Sequence, residues 1–279
     1  MRTAIRYFSG TGNTAWLVDR LKEALEKRGL PVSTGLIGID DDPRIDEGPL
    51  SLVLCFPVYA LDAPPLVQRW VERIPAGEGR TAIVIRSPGD PFFNGGTTRT
   101  MRRLLERRGW RVVIERMIVM PPNVFYRASD DLAALLLAAA RRRIEHLADD
   151  IKEGRTLLED TGNTVNGSSS AFNGLLARYG HRFGHDLRAT AACTRCGLCV
   201  RECPAGTITM TDDGIRFGDR CQVCLRCMAR CPVRAIIPLV YRSFPVRPYD
   251  LAALDAAGPE GKRPRNWFER RYRSYLDRS

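Results

Sequence analysis

The chain has 279 residues, a mean hydropathy of -0.22 and a formal net charge of +11, which allows one sizeable domain and a smaller one. No apolar run approaches the roughly 18 residues of a membrane span, and Met1–Phe8 alternates like a strand and lacks the apolar core of a secretory leader. A cytoplasmic protein is expected, with no transmembrane segment and no peripheral membrane contact. The positive charge does not argue for nucleic acid: only Lys22, Lys27, Lys152 and Lys262 of the 43 basic residues are lysine, and no recognition motif accompanies them.

The first 153 residues alternate between the two periodicities. Strands are predicted over Thr3–Phe8, Pro31–Leu36, Leu50–Phe56, Thr81–Arg86 and Arg111–Met120. Helices are predicted over Thr14–Arg28, Pro64–Arg73 and Thr97–Arg108, with a long one from Asp130 to about Glu153. Strands that alternate with helices imply a parallel sheet covered on both faces. Residues 154–189 read as a linker and connecting segment, with an Asn-Gly pair and a serine run. Residues 190–237 hold a cysteine block, and 238–279 form a tail rich in arginine and aromatics.

The loop Phe8-Ser9-Gly10-Thr11-Gly12-Asn13-Thr14 leaves the first strand and opens the first helix. Its N–H groups and the positive end of the helix dipole suit an anion, and the hydroxyls of Ser9, Thr11 and Thr14 suit a terminal phosphate. The spacing is neither that of a P-loop nor that of a dinucleotide fingerprint, so it points to a mononucleotide. A second Thr-Gly-Asn-Thr, at 161–164, follows no strand and reads as a linker turn. Two further loops leave strands on the same side: Pro57-Val58-Tyr59-Ala60-Leu61-Asp62, and Ser87-Pro88-Gly89-Asp90 through Asn94-Gly95-Gly96.

Residues 1–153 resemble the flavodoxins. The resemblance implies a flavodoxin-like doubly wound parallel sheet with FMN held at Ser9, Gly10, Thr11, Gly12, Asn13 and Thr14. It also sets Pro57, Tyr59, Ser87, Pro88, Gly89, Asn94 and Gly95 beside the ring, where Tyr59 either stacks or forms an aromatic lid. Pro91-Phe92-Phe93 interrupts the glycines of the last loop and departs from the flavodoxin pattern.

Eight of the nine cysteines lie between Cys193 and Cys231, which in a chain without a secretory signal argues for metal over disulfides. Cys193-Thr-Arg-Cys196-Gly-Leu-Cys199-Val-Arg-Glu-Cys203-Pro204 recurs 28 residues later as Cys221-Gln-Val-Cys224-Leu-Arg-Cys227-Met-Ala-Arg-Cys231-Pro232. Three thiolates in such a loop wrap three corners of an iron–sulfur cube. Structural zinc also takes four cysteines, but usually in paired knuckles and not in triplets ahead of Cys-Pro. The block resembles the bacterial two-cluster ferredoxins, a small α+β ferredoxin-like domain. The resemblance implies two 4Fe–4S clusters with crossed ligands: Cys193, Cys196, Cys199 and Cys231 on one, and Cys221, Cys224, Cys227 and Cys203 on the other. Seven arginines face four acids across 190–237, unlike many acidic ferredoxins.

Of the remaining candidates, Cys55 reads as a buried hydrophobe and His146 as a surface or packing residue. His181 and His185, at i and i+4 without a third ligand, also read as packing. In the tail, Phe268, Tyr272, Tyr275 and Leu276 share one helical face, which either docks an acidic partner or packs back on the protein.

Together the two halves resemble the flavodoxin–ferredoxin fusion proteins. The implied function is electron transfer between FMN and two 4Fe–4S clusters on behalf of a redox partner protein. The alternative is a self-sufficient FMN-dependent reductase of a small molecule such as a quinone. A redox-sensing regulator would need a binding module that the sequence lacks.

Overall fold

The computed structural model describes residues 2–39, 43, 45, 50–92, 97–124, 126–159, 179, 182–240 and 248–278. Asn94, Gly95, Thr161–Thr164 and His181 lie outside the described residues.

The first part is a five-stranded parallel sheet of β1 (Arg2–Tyr7), β2 (Val32–Leu36), β3 (Leu50–Phe56), β4 (Thr81–Arg86) and β5 (Arg111–Met117), in the order β2-β1-β3-β4-β5. Because the strand period is two, alternate residues serve opposite faces. Ala4, Leu52, Leu54 and Val84 pack under α2 (Pro65–Arg73) and α3 (Thr97–Arg107), with Trp70, Val71, Met101 and Leu105. Ile5, Val53, Cys55, Ile83 and Ile85 pack under α1 (Asn13–Lys27) and α4 (Asp130–Lys152), with Leu17, Leu21, Leu137 and Ile144. Strands buried on both sides read as continuous apolar runs, and Cys55 is a fully buried member of one. The long helix starts where Ser129 accepts from the N–H of Leu132, with Asp130 and Asp131 in its first turn, the acidic side chains that a helix N-terminus favours.

The cysteine block folds as two short antiparallel strand pairs, one of them a hairpin, and two short helices. β6 (Leu187–Ala189) pairs antiparallel with β9 (Ile236–Pro238), and β7 (Ile208–Thr211) with β8 (Gly214–Phe217). Helix α5 (Leu198–Arg201) carries the last cysteine of the first triplet, Cys199, and α6 (Arg226–Arg230) carries Cys227 in the same place of the second. The sequence repeat is a backbone repeat. Left-handed φ values recur at a spacing of 28: Arg195 (57°) with Val223 (51°), Gly197 (73°) with Leu225 (60°), and Gly206 (56°) with Arg234 (49°).

The tail resolves the choice left open by its sequence. It forms α7 (Leu251–Ala257), α8 (Trp267–Arg270) and α9 (Arg273–Leu276). Tyr272 and Tyr275 are 1% and 4% exposed and, with Phe268 and Leu276, pack on Val119, Leu132, Leu136 and Ala139. The aromatic face therefore belongs to the protein's own core and does not dock a partner. Among the described residues, no helix is long and apolar enough to cross a membrane.

Candidate cofactor sites

The carboxyl ends of β1, β3, β4 and β5 bring their loops together on one edge of the sheet. In the first loop Gly12 takes φ 107° ahead of α1, and no side chain caps the helix; its first-turn N–H groups point out of the helix end. The loop hydroxyls tie neighbouring strands together. Thr14 Oγ1 lies 2.7 Å from Ser87 Oγ, which donates to the Phe56 carbonyl at 3.2 Å. Ser9 Oγ accepts from the N–H of Ala15 at 3.2 Å. Thus Ser9, Gly10, Thr11, Gly12, Asn13, Thr14 and Ser87 are brought together.

Sequence reasoning missed the loop after β5. Asn123, buried, donates to Thr11 Oγ1 at 2.9 Å, and Asn13 Nδ2 donates to the Pro121 carbonyl at 2.8 Å. Its only sequence signal is its place, at the carboxyl end of a parallel strand. Gly89 approaches Pro122 so closely that a Cβ there would lie 3.2 Å from it. Tyr272 and Tyr249, from the tail, donate to the Gly89 carbonyl at 2.6 Å and the Pro122 carbonyl at 2.9 Å. Pro57 and Pro88 sit on the same edge, with Pro88 accepting from the N–H of Met120 at 2.8 Å.

An open cavity of about 570 Å³ beside the Ser9–Thr14 loop is lined by Ser9, Gly12, Ile39, Arg201, Pro204 and Arg226, among others. Pro57, Tyr59, Ser87, Pro88 and Gly89 are not among its walls. It is therefore the gap between the two parts of the chain.

Two smaller cavities lie within the cysteine block. Cys203, Cys221, Cys224 and Cys227 line one, with Phe183, Leu187 and Leu225. Cys193, Cys196, Cys199 and Cys231 line the other, with Ile215 and Ile236. N–H groups of Arg195, Val223 and Ala235 point at the sulfurs of Cys193, Cys221 and Cys231, at 3.4, 3.4 and 3.2 Å. The left-handed residues aim these donors, as a loop built round an anion requires. Among the described residues, no three His, Cys, Asp or Glu side chains converge on one point as a single ion demands. A four-iron cube takes one thiolate at each corner and tolerates the wider spread. The residues present fit such a group.

The two sites differ in surroundings. The N–H of Leu198 holds the Cys196 thiol below its ordinary range. Burial pushes Cys221 up to about 12 and raises Cys224 and Cys227 as well. Cys196 is exposed whereas Cys224 is 8% exposed and is part of the first domain's core, with Phe8 and Phe56. The second triplet sits on the Ser9–Thr14 loop. A Cβ at Gly10 would run into the Cys224 carbonyl and the Tyr59 hydroxyl. Tyr59 lies edge-on to Phe8 with its hydroxyl 3.5 Å from that carbonyl, at the junction of the two parts. Ile39 N–H donates to the Pro204 carbonyl at 2.7 Å, and Arg69 to Gln222 Oε1 at 2.9 Å.

A strand order of 2-1-3-4-5 with the ligand loop at the β1/β3 switch point is that of flavodoxin. Residues 190–209 match the family model described as a 4Fe-4S binding domain. A flavodoxin-like domain is joined to a ferredoxin-type one. Solved structures similar to the chain include the two-electron reduced flavodoxin of Megasphaera elsdenii (18% identity, 53% of this chain and 98% of that one, TM-score 0.36). Flavodoxin 1 from Bacillus cereus is another (14% identity, 55% of this chain and 98% of that one, TM-score 0.41). The rubredoxin oxygen:oxidoreductase of Desulfovibrio gigas matches at 14% identity over 55% of this chain, with a TM-score of 0.40, and only 35% of its own length is spanned. No curated protein matches the chain. A flavodoxin-like domain and a 4Fe–4S segment in one chain make this an electron-transfer or redox protein.

Proposed function

We propose that the chain carries electrons between FMN and two 4Fe–4S clusters for a partner redox protein in the cytoplasm. The observation that carries this reading is the sorting of the eight cysteines into two cavities, four in each, one of them against the phosphate loop. The division matches crossed ligation, with Cys203 beside the second triplet and Cys231 beside the first. FMN exchanges one or two electrons and each cluster exchanges one, so the pair would convert between the two currencies.

The chain's own residues have separable roles in this scheme. Ser9, Thr11, Asn13 and Thr14, with the first-turn N–H groups of α1, would bind the phosphate. The loops at Pro57–Asp62 and Ser87–Gly89, the second braced by Tyr272 of the tail, would orient the ring. Left-handed backbone at Arg195 and Val223 holds N–H donors toward thiolate sulfur. Acidic proteins are the fitting partners for the six exposed arginines of the second domain, Arg195, Arg201, Arg216, Arg220, Arg230 and Arg234.

Anaerobic purification with flavin, iron and sulfide analysis tests the reading. One FMN, with about eight iron and eight sulfide, is the expected content. Stoichiometric zinc without sulfide would overturn the ferredoxin half, and FAD would overturn the mononucleotide assignment.

A further inference from the structure

The two cysteine loops have the same spacing and the same backbone, so their different surroundings must set any difference in role. In the first loop Cys196 is exposed and Leu198 half-buried; their counterparts in the second, Cys224 and Arg226, are buried. The repeat breaks at one informative position: Leu198 in the first copy corresponds to Arg226 in the second. Arg226 is 7% exposed and its guanidinium forks between the two domains. Nε donates to the Ser9 carbonyl at 2.9 Å and Nη2 donates to the same oxygen, while Nη1 donates to the Glu202 carbonyl at 3.1 Å. Its Cζ stands 5.7 Å over the ring of buried Phe8.

Only a planar, multi-donor cation can hold two carbonyls this way. The nearby Glu202 carboxylate is bound to Arg230 at 3.0 and 3.1 Å, so the acceptors of Arg226 are carbonyl oxygens. A buried cation in that setting calls for negative charge close by. A thiolate-ligated cluster on one side and a phosphate on the other would supply it.

We propose that Arg226 is a positioning residue that clamps the second cysteine loop to the phosphate loop. The site of Cys203, Cys221, Cys224 and Cys227 then exchanges electrons with the flavin, and the site of Cys193, Cys196, Cys199 and Cys231 is the outlet to the partner. Each transfer oxidises the flavin by one electron and reduces the inner cluster by one, with any released proton passing to solvent; the inner cluster is reoxidised as the outer one is reduced. The inference rests on the assignment of flavin and clusters made above.

The test uses the full, anaerobically loaded chain and its Arg226→Gln and Arg226→Lys variants. Flavin reduced by an external photoreductant is followed as it passes electrons to the clusters, and both cluster potentials are titrated by EPR. In Arg226→Gln the flavin, iron and sulfide contents should hold, while transfer slows about tenfold or more, as small misplacements cost. The inner cluster's potential should fall for want of the neighbouring positive charge. Arg226→Lys keeps that charge without the fork, so it should recover the potential but not the rate. In the unaltered protein, a dysprosium chelate in solvent should relax one cluster far more than the other, and not the one that Arg226→Gln shifts. Unchanged transfer in Arg226→Gln, or equal relaxation of both clusters, would overturn the inference. Protein lacking flavin or sulfide would instead overturn the function proposed above.

Discussion

Asp62 ends the turn after β3, a turn that runs through two left-handed non-glycine residues, Ala60 at φ 47° and Leu61 at φ 64°. It is 2% exposed; burial pushes its carboxyl up to about 6, against the opposing N–H of Ala63 and hydroxyl of Thr100. The folded chain therefore holds this proton more tightly than the unfolded chain does. Stability falls as pH rises from the ordinary aspartate range through about 6, by on the order of 2–3 kcal/mol. Asp62→Asn keeps the acceptor for Ala63 and removes the charge. Its thermal midpoint should exceed that of the parent at about pH 8, with the gain gone near pH 4; an equal gain at both would show that charge is not the cause. The sequence displayed Asp62 only as the last residue of a loop. Its partner Thr100 comes from α3, 38 residues away, a distance that no local pattern spans. Asn123 escaped for the same reason, whereas Ser9–Thr14 were legible because the phosphate loop is one contiguous segment between a strand and a helix.

Among the elements, strand and helix positions followed closely from periodicity, because buried parallel strands and amphipathic helices write different periods into the chain. The tail was ambiguous for a physical reason: an aromatic helical face looks the same whether it meets a partner or its own domain. What decides is Glu269, fully buried, which accepts from Ser129 N–H at 2.7 Å, Ser129 Oγ at 2.9 Å, Arg265 N–H at 2.7 Å and Tyr126 Oη at 3.1 Å. Burial alone would raise its pKa, but the N–H groups of Ser129 and Arg265 and the hydroxyls outweigh that and hold it below the usual glutamate range. The anchor is thus at full strength above that range and is lost as pH falls through the lowered value. Glu269→Gln should cost about 2–3 kcal/mol at neutral pH, read as a lowered denaturation midpoint, with the deficit shrinking in acid. For the cysteine loops the repeat itself was legible, and crossed ligation carries a direct consequence. Cys203→Ser should damage the cluster of the second triplet, 18 residues downstream at its nearest cysteine. EPR loss confined to the cluster of the first triplet would refute the crossing.

Across the whole molecule the two domains and the tail form one packed unit. Through Tyr272 the end of the tail braces the loop at Gly89, so removing residues 262–279 should lower the thermal midpoint and weaken FMN retention together, measured by melting and by flavin fluorescence. Normal retention with slower delivery to a partner protein would restore a docking role. What the sequence did not disclose at this scale is the junction, since Gly10 and Cys224 belong to motifs that each make sense alone. Their contact has an evolutionary corollary. In the Ser9–Thr14 loop position 10 contributes no hydroxyl, and in a chain with the first domain alone only the Tyr59 hydroxyl, the end of a side chain that can swing aside, would limit it. Where the second cysteine loop docks as it does here, the Cys224 carbonyl occupies the place of any side chain. The carbonyl is common to all residues, so no substitution at position 224 can make room. Only glycine is admitted at position 10, and across descendants of this chain it should persist or vanish together with the second cysteine run.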